Sequence, residues 1–151
     1  VIIFSAHIRK YYKKGHYWTK QYSTFIQQTQ NIGMKFILIS PTPNFPGLKD
    51  GDTCQEEWFR PSWAISSPEF CLKQVSKSEW YASNSEIITL IQKFLLDNPT
   101  VSYIDTISVL CPDQYCKNHD QNKLMYKDQH HLNGYGAMKL SNTLETFIRS
   151  K

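Results

Sequence analysis

Apolar positions in this chain fall into short unbroken runs, separated by stretches with helical spacing. Val1-Ile-Ile-Phe4 is wholly apolar, as expected for a parallel strand covered on both faces. Between Trp18 and Ile32, the residues Tyr22, Phe25, Ile26 and Thr29 recur on one face of a helix. Gly33 suits the left-handed position just past its end. Lys35-Phe-Ile-Leu-Ile39 reads as a second strand, closed by Ser40-Pro-Thr-Pro43. A strand–helix–strand unit of this kind requires a right-handed crossover and parallel pairing. Ile87, Ile88, Leu90, Ile91, Phe94 and Leu95 mark another helix. Ser83, with Glu86 three residues on, has the pattern of a capping box at its start, and Asn98-Pro99 stops it. Val101-Ser-Tyr-Ile-Asp-Thr-Ile107 alternates and reads as a third strand, with Asp105 near its end expected to cap a turn. A last helix from about Gly134 carries Met138, Leu140, Leu144, Phe147 and Ile148. The pattern predicts an α/β fold with a parallel sheet whose strands lie near 1–5, 35–40 and 101–107.

The stretch from Asn44 to Ala82 has no such periodicity and is punctuated by Pro46, Gly47, Gly51, Pro61 and Pro68. So long a loop in a compact domain is usually functional or stapled. Four cysteines, Cys54, Cys71, Cys111 and Cys116, suit two disulfides and an oxidising compartment. Spacing favours Cys111–Cys116, which closes the turn Pro112-Asp-Gln-Tyr115 and leaves Cys54–Cys71 to staple the long loop. The rival is a zinc site drawing on Cys111, Cys116, His119, His130 and His131. With no Cys-x-x-Cys pair and no knuckle spacing, no metal is expected.

The chain has 151 residues, enough for one domain with a real core, and a modest net charge of +4. Arg9-Lys10 and Lys13-Lys14 stand beside Tyr11, Tyr12, Tyr17 and Trp18. A solvated helix face with a tyrosine anchor accounts for this mixture, and no nucleic-acid partner is expected. No apolar run approaches the ~20 residues of a membrane span.

The stretch richest in chemistry is Leu124-Met-Tyr-Lys-Asp-Gln-His-His-Leu-Asn-Gly-Tyr-Gly-Ala137. Asp128 precedes His131 by three residues, so its carboxylate can accept a hydrogen bond from the ring Nδ1–H. That bond fixes the tautomer and turns Nε2 into a base. Asn133 is a good N-cap for the last helix.

Tyr126-x-Asp128-x-x-His131-Leu132-Asn133-x-x-Gly136-Ala137 resembles the last sequence block of the SGNH, or GDSL-like, hydrolases. It most resembles the extracytoplasmic SGNH domain fused to acyltransferase-3 membrane proteins, which O-acetylate surface glycans. That family usually has Ser where this chain has Asn133, an exchange of one capping residue for another. Cys54-x-x-Glu-Trp-Phe-Arg-Pro61 also resembles a stretch of that branch. The resemblance implies a three-layer α/β/α, flavodoxin-like fold and a Ser-His-Asp mechanism without cofactors. His131 would be the base and then the acid, and Asp128 its orienting partner. Ser5-Ala6-His7, at the carboxyl end of the first strand, looks like a variant of the branch's Ala-Arg-Trp-like stretch. His7 then either faces the substrate or merely starts a helix. Trp58, with Phe59 and Trp63, either lines a glycan platform or packs the long loop onto the sheet.

The nucleophile does not match. SGNH enzymes carry it in a Gly-Asp-Ser block after their first strand, and neither that block nor Gly-x-Ser-x-Gly occurs here. Gly51-Asp52-Thr53 follows no strand and reads as a turn. The Asn that commonly follows the strand equivalent to Val1–Phe4 is also absent. The expectation is therefore that 1–151 is a single, partial SGNH domain whose first two strands and Ser lie upstream. Its expected partners are an acyl donor, a glycan acceptor and a linked membrane acyltransferase, and its expected place is periplasmic or extracellular. The alternatives are a secreted GDSL-like carbohydrate esterase and a non-catalytic, disulfide-bonded glycan-binding domain.

Overall fold

A computed structural model describes residues 1–5, 17–48, 54, 71–121 and 123–149. They form two compact units. The first comprises Val1–Pro41, Tyr81–Thr106 and Thr143–Lys151, the second Thr42–Trp80 and Ile107–Asn142.

In the first unit, β1 (Ile2–Ser5), β2 (Phe36–Ile39) and β4 (Val101–Ile104) form a sheet in the order β1-β2-β4. Both pairings are parallel, Ile2 opposite Phe36 and Phe36 opposite Val101. Helix α1 (Tyr17–Thr29), continued by a 3₁₀ turn (Gln30–Ile32), makes the crossover between β1 and β2. It ends where the periodicity ends, with Gly33 at φ 67° in the left-handed region that a side chain would resist. Helix α3 (Ser85–Asp97) makes the next crossover and buries Ile87, Leu90, Ile91 and Phe94. These side chains share one core with Phe4, Ile26, Phe36, Leu38 and Val101. Phe4 stacks on Phe36 at 5.8 Å between ring centroids. Leu38 is fully buried, as a central parallel strand requires. β1 departs from the expectation of cover on both faces, since Ile3 is 44% exposed. Among the described residues β1 pairs with β2 alone.

The third strand is shorter than its alternation suggested. It stops at Ile104, and helix α4 (Thr106–Leu110) begins two residues on. Ser40 Oγ, at the end of β2, accepts from the Thr106 backbone N–H at 2.8 Å. It thus satisfies a donor that the first turn of a helix leaves without a partner. Thr106 Oγ1 in turn donates to the Pro41 carbonyl at 2.7 Å. Asp105 sits at this junction and accepts from the Tyr81 hydroxyl at 3.3 Å.

In the second unit, β3 (Gln74–Ser76) pairs antiparallel with β5 (Tyr115–Lys117), and β6 (His119–Asp120) with β7 (Lys123–Leu124). The region read as irregular up to Ala82 therefore holds β3 and helix α2 (Lys77–Ser83). A serine cap of the capping-box pattern occurs here, seven residues before the expected one. Ser76 Oγ accepts from the Glu79 N–H at 3.2 Å, whereas Ser83 closes α2 and α3 starts after Asn84 without a side-chain cap. Both expected disulfides are present, Cys54–Cys71 and Cys111–Cys116, with Cα separations of 5.3 and 4.5 Å. Buried Asn118 ties the staple to the rest of the unit. Its amide donates to the Cys71 carbonyl and accepts from the Lys73 N–H, both at 2.8 Å, while its backbone carbonyl accepts from Met125 N at 2.8 Å. The last helix, α5 (Gly134–Arg149), spans the end of this unit and the end of the first. Among the described residues no helix is long and apolar enough to cross a membrane.

Candidate active site

The Asp-His stretch folds as a closed loop because its ends pair and its first polar side chain fills the turn. Tyr126 and Leu132 form an antiparallel bridge, and Lys127 N donates to the His131 carbonyl at 2.8 Å. Inside the loop, Asp128 Oδ1 accepts from the backbone N–H groups of His130 and His131, at 3.0 and 2.8 Å. An Asp at the first position of a turn does this readily, since its short side chain reaches donors two and three residues ahead. Both bonds lock the carboxylate, and Asp128 is buried.

The second oxygen of that carboxylate, Oδ2, accepts from His131 Nδ1 at 2.6 Å. A carboxylate can only accept, so the proton lies on Nδ1 and the lone pair on Nε2. The His131 side chain is 62% exposed while that of Asp128 is 9% exposed. The pair thus presents an exposed imidazole backed by a buried acceptor, an arrangement like that of the His and Asp of an acyl-transfer triad. His130 Nδ1 lies farther from the carboxylate, 3.8 Å from Asp128 Oδ1 and beyond hydrogen-bond distance. Its ring lies beside that of His131, with centroids 4.1 Å apart.

The start of α5 fixes the far side of the loop. Asn133 Oδ1 accepts from Gly136 N at 2.9 Å, the expected N-cap bond. Asn133 Nδ2 also donates to the Leu124 carbonyl at 2.9 Å, a bond made by a second amide atom that a shorter serine lacks. Gly136 is required for a steric reason. A Cβ there would lie 2.1 Å from the Met125 carbonyl oxygen and 2.8 Å from a methyl of Leu132.

Two supports of the loop were not legible in the sequence. Thr42 Oγ1 donates to the His130 carbonyl at 2.6 Å, and Phe45 N donates to the Gln129 carbonyl at 2.7 Å. Phe45 also packs edge-on against fully buried Tyr126, with centroids 4.8 Å apart. Burial pushes the Tyr126 phenol far above its usual range, so it stays neutral. The sequence signal for this strap was slight. Pro41 and Pro43 hold Thr42 extended and give up their own N–H groups, as suits a segment laid along another loop. His7 and Trp58 lie outside the described residues. The zinc set built on Cys111 and Cys116 is excluded, because both sulfurs are in a disulfide.

A recess lies elsewhere in this unit, a cavity of about 350 Å³ lined by Tyr115, Lys117, His119, Asp120 and Lys139 among others. Neither Asp128 nor His131 borders it. Lys139 and the Tyr135 hydroxyl both bond the Asp120 carboxylate there, and hold it below the usual carboxylate range. Burial, with help from the Lys117 cation, pushes the His119 imidazole down.

A family model described as an SGNH domain, fused to AT3 domains, matches residues 1–146. The chain belongs to that family. No curated protein and no solved structure matches it. The α/β architecture with its parallel sheet is compatible with part of an SGNH fold. As an AT3-associated SGNH domain, it is associated with acyltransferases, and the kind of chemistry its family suggests is that of an esterase or acyltransferase. Membership also supports a linked membrane acyltransferase domain.

Proposed function

We propose that this domain transfers acyl groups, acetyl above all, to hydroxyls of a bacterial cell-surface polysaccharide. The observation that carries the reading is the 2.6 Å contact between His131 Nδ1 and a carboxylate that two backbone N–H groups hold still. In this mechanism His131 Nε2 takes the proton of a serine hydroxyl as it attacks the acyl donor. Asp128 stabilises the imidazolium that results. The serine supplies the acyl-enzyme, and His131 returns the proton to the leaving group. A sugar hydroxyl, deprotonated by the same Nε2, then takes the acyl group, and the proton passes to the departing serine oxygen.

The serine is proposed to lie upstream, with two further strands of the sheet. Among the described residues β1 pairs on one side only, which leaves its other edge for a further parallel strand and supports this reading. Two disulfides and the AT3 association support a periplasmic or extracellular site for the domain. The test uses the full parent protein, an acyl donor and the purified surface glycan. Acetyl ester on the glycan and a trapped acyl-serine are the expected products. Free acetate without glycan ester would assign an esterase instead, and neither product would leave a binding domain.

A further inference from the structure

Asp128 faces two imidazoles, one through each oxygen. Oδ2 lies 2.6 Å from Nδ1 of His131, and Oδ1 lies 3.8 Å from Nδ1 of His130. One ligand atom from each of the three residues lies within 4.8 Å of the other two. Two imidazole nitrogens and one carboxylate oxygen are a donor set for a borderline divalent cation such as zinc or copper(II). We propose that His130, Asp128 and His131 form an inhibitory zinc site that switches off the acyl-transfer base; the inhibition, though not the binding, rests on the function proposed above.

The geometry needs little adjustment. Bonds of ~2.0–2.1 Å around a tetrahedral zinc set ligand atoms roughly 3.3 Å apart. The three ligand atoms already lie within 4.8 Å of one another, so rotation of the two accessible rings has to close only the remaining gap. The His130 and His131 N–H groups hold the Asp128 carboxylate between the two rings. Both rings are accessible, with side chains 36% and 62% exposed. Water fills the fourth position, as in other sites with three protein ligands.

Inhibition follows from the tautomer. In the metal-free pair the His131 proton sits on Nδ1 and Nε2 is the base. Zinc takes the Nδ1 lone pair, so the single ring proton moves to Nε2. No proton is lost from the ring, yet the nitrogen that would accept the serine proton now carries one of its own. The carboxylate is spent on the metal as well, and no longer orients the ring. His130 thereby acquires a purpose that the acyl-transfer mechanism does not give it.

The test titrates the metal-stripped full chain with zinc chloride against a chromogenic chelator. One zinc per chain is expected, with affinity at least tenfold weaker in His130→Gln and in Asp128→Asn. Saturating zinc should lower wild-type acyl transfer at least tenfold, with recovery on adding chelator. At a zinc concentration below the variant's own Kd, the activity of His130→Gln should change by less than twofold, measured against its own metal-free rate. Binding that survives His130→Gln unweakened overturns the site, and binding without loss of activity overturns its inhibitory role. If His130→Gln does not fold, the X-ray absorption spectrum of the wild-type zinc complex decides. Two imidazole nitrogens in the shell are expected, and a shell with fewer overturns the proposal. Zinc binding with no acyl transfer in the metal-free protein would instead sink the function and leave the site standing.

Discussion

Asp128 uses one oxygen to build the turn and the other to hold the His131 ring, so a single short side chain serves both the local fold and the orientation of the imidazole. Asp128, His131 and Asn133 were legible because their partners lie within a few residues, where spacing alone brings groups together. Thr42 and Asn118 were not, because their partners lie 88 and 47 residues away. A sequence pattern carries no signal for such pairs until the chain is folded. Gly136 is the sharpest test of packing at this scale. Gly136→Ala puts a methyl into the Met125 carbonyl, whose backbone cannot swing aside. Overpacking of this kind costs about 1–3 kcal/mol or more, so a clear fall in the denaturant midpoint is expected. An unchanged midpoint would show that α5 does not approach so closely. Asn133 separates its two roles by substitution. Asn133→Ser keeps the cap and loses the Leu124 bond, for about 1 kcal/mol. Asn133→Ala loses both, for about 2 kcal/mol, and urea unfolding of the two variants should rank them in that order.

At the scale of elements, strong periodicity was a reliable guide and short patterns were not. Helices α1, α3 and α5 and strand β2 lie where their apolar positions placed them, because each buries a face defined by several residues. The stretch Thr106–Leu110 is too short for its period to decide between strand and helix. Ser40, donated by a distant strand, settled it by capping the helix. Ser83-x-x-Glu86 and Ser76-x-x-Glu79 read alike, and only the second meets a helix start. The β6–β7 hairpin has a testable pH dependence. Burial and Lys117 lower the His119 pKa from 6.5, so the unfolded chain takes up the proton first. By linkage, stability then falls as pH drops below about 6.5 and levels off below the folded pKa. Melting temperatures at about pH 7.5 and 5.5 should show this loss, and His119→Gln should remove that part of it. A variant with the same pH slope as wild type would assign the loss to other groups.

For the whole molecule, the parallel sheet and both disulfides were readable, while the exposure of Ile3 on β1 was not, since an unbroken apolar run does not say which of its side chains stays uncovered. The two disulfides close loops of different length, 17 and 5 residues in separation. Loop entropy assigns about 3 kcal/mol to Cys54–Cys71 and about 2 kcal/mol to Cys111–Cys116. Cys54→Ala with Cys71→Ala should therefore lower the melting temperature more than Cys111→Ala with Cys116→Ala, and the reverse order would show that strain or residual structure dominates. The central claim is that Asp128 and His131 are the base pair of an acyl-transfer reaction. The measurement that reaches it most directly is steady-state acyl transfer by the full parent protein, stripped of metal, with His131→Ala and Asp128→Asn compared to wild type. Both should lose about 10³-fold or more in kcat while remaining folded, as removal of a triad member does. Activity within tenfold of wild type in either variant would contradict it.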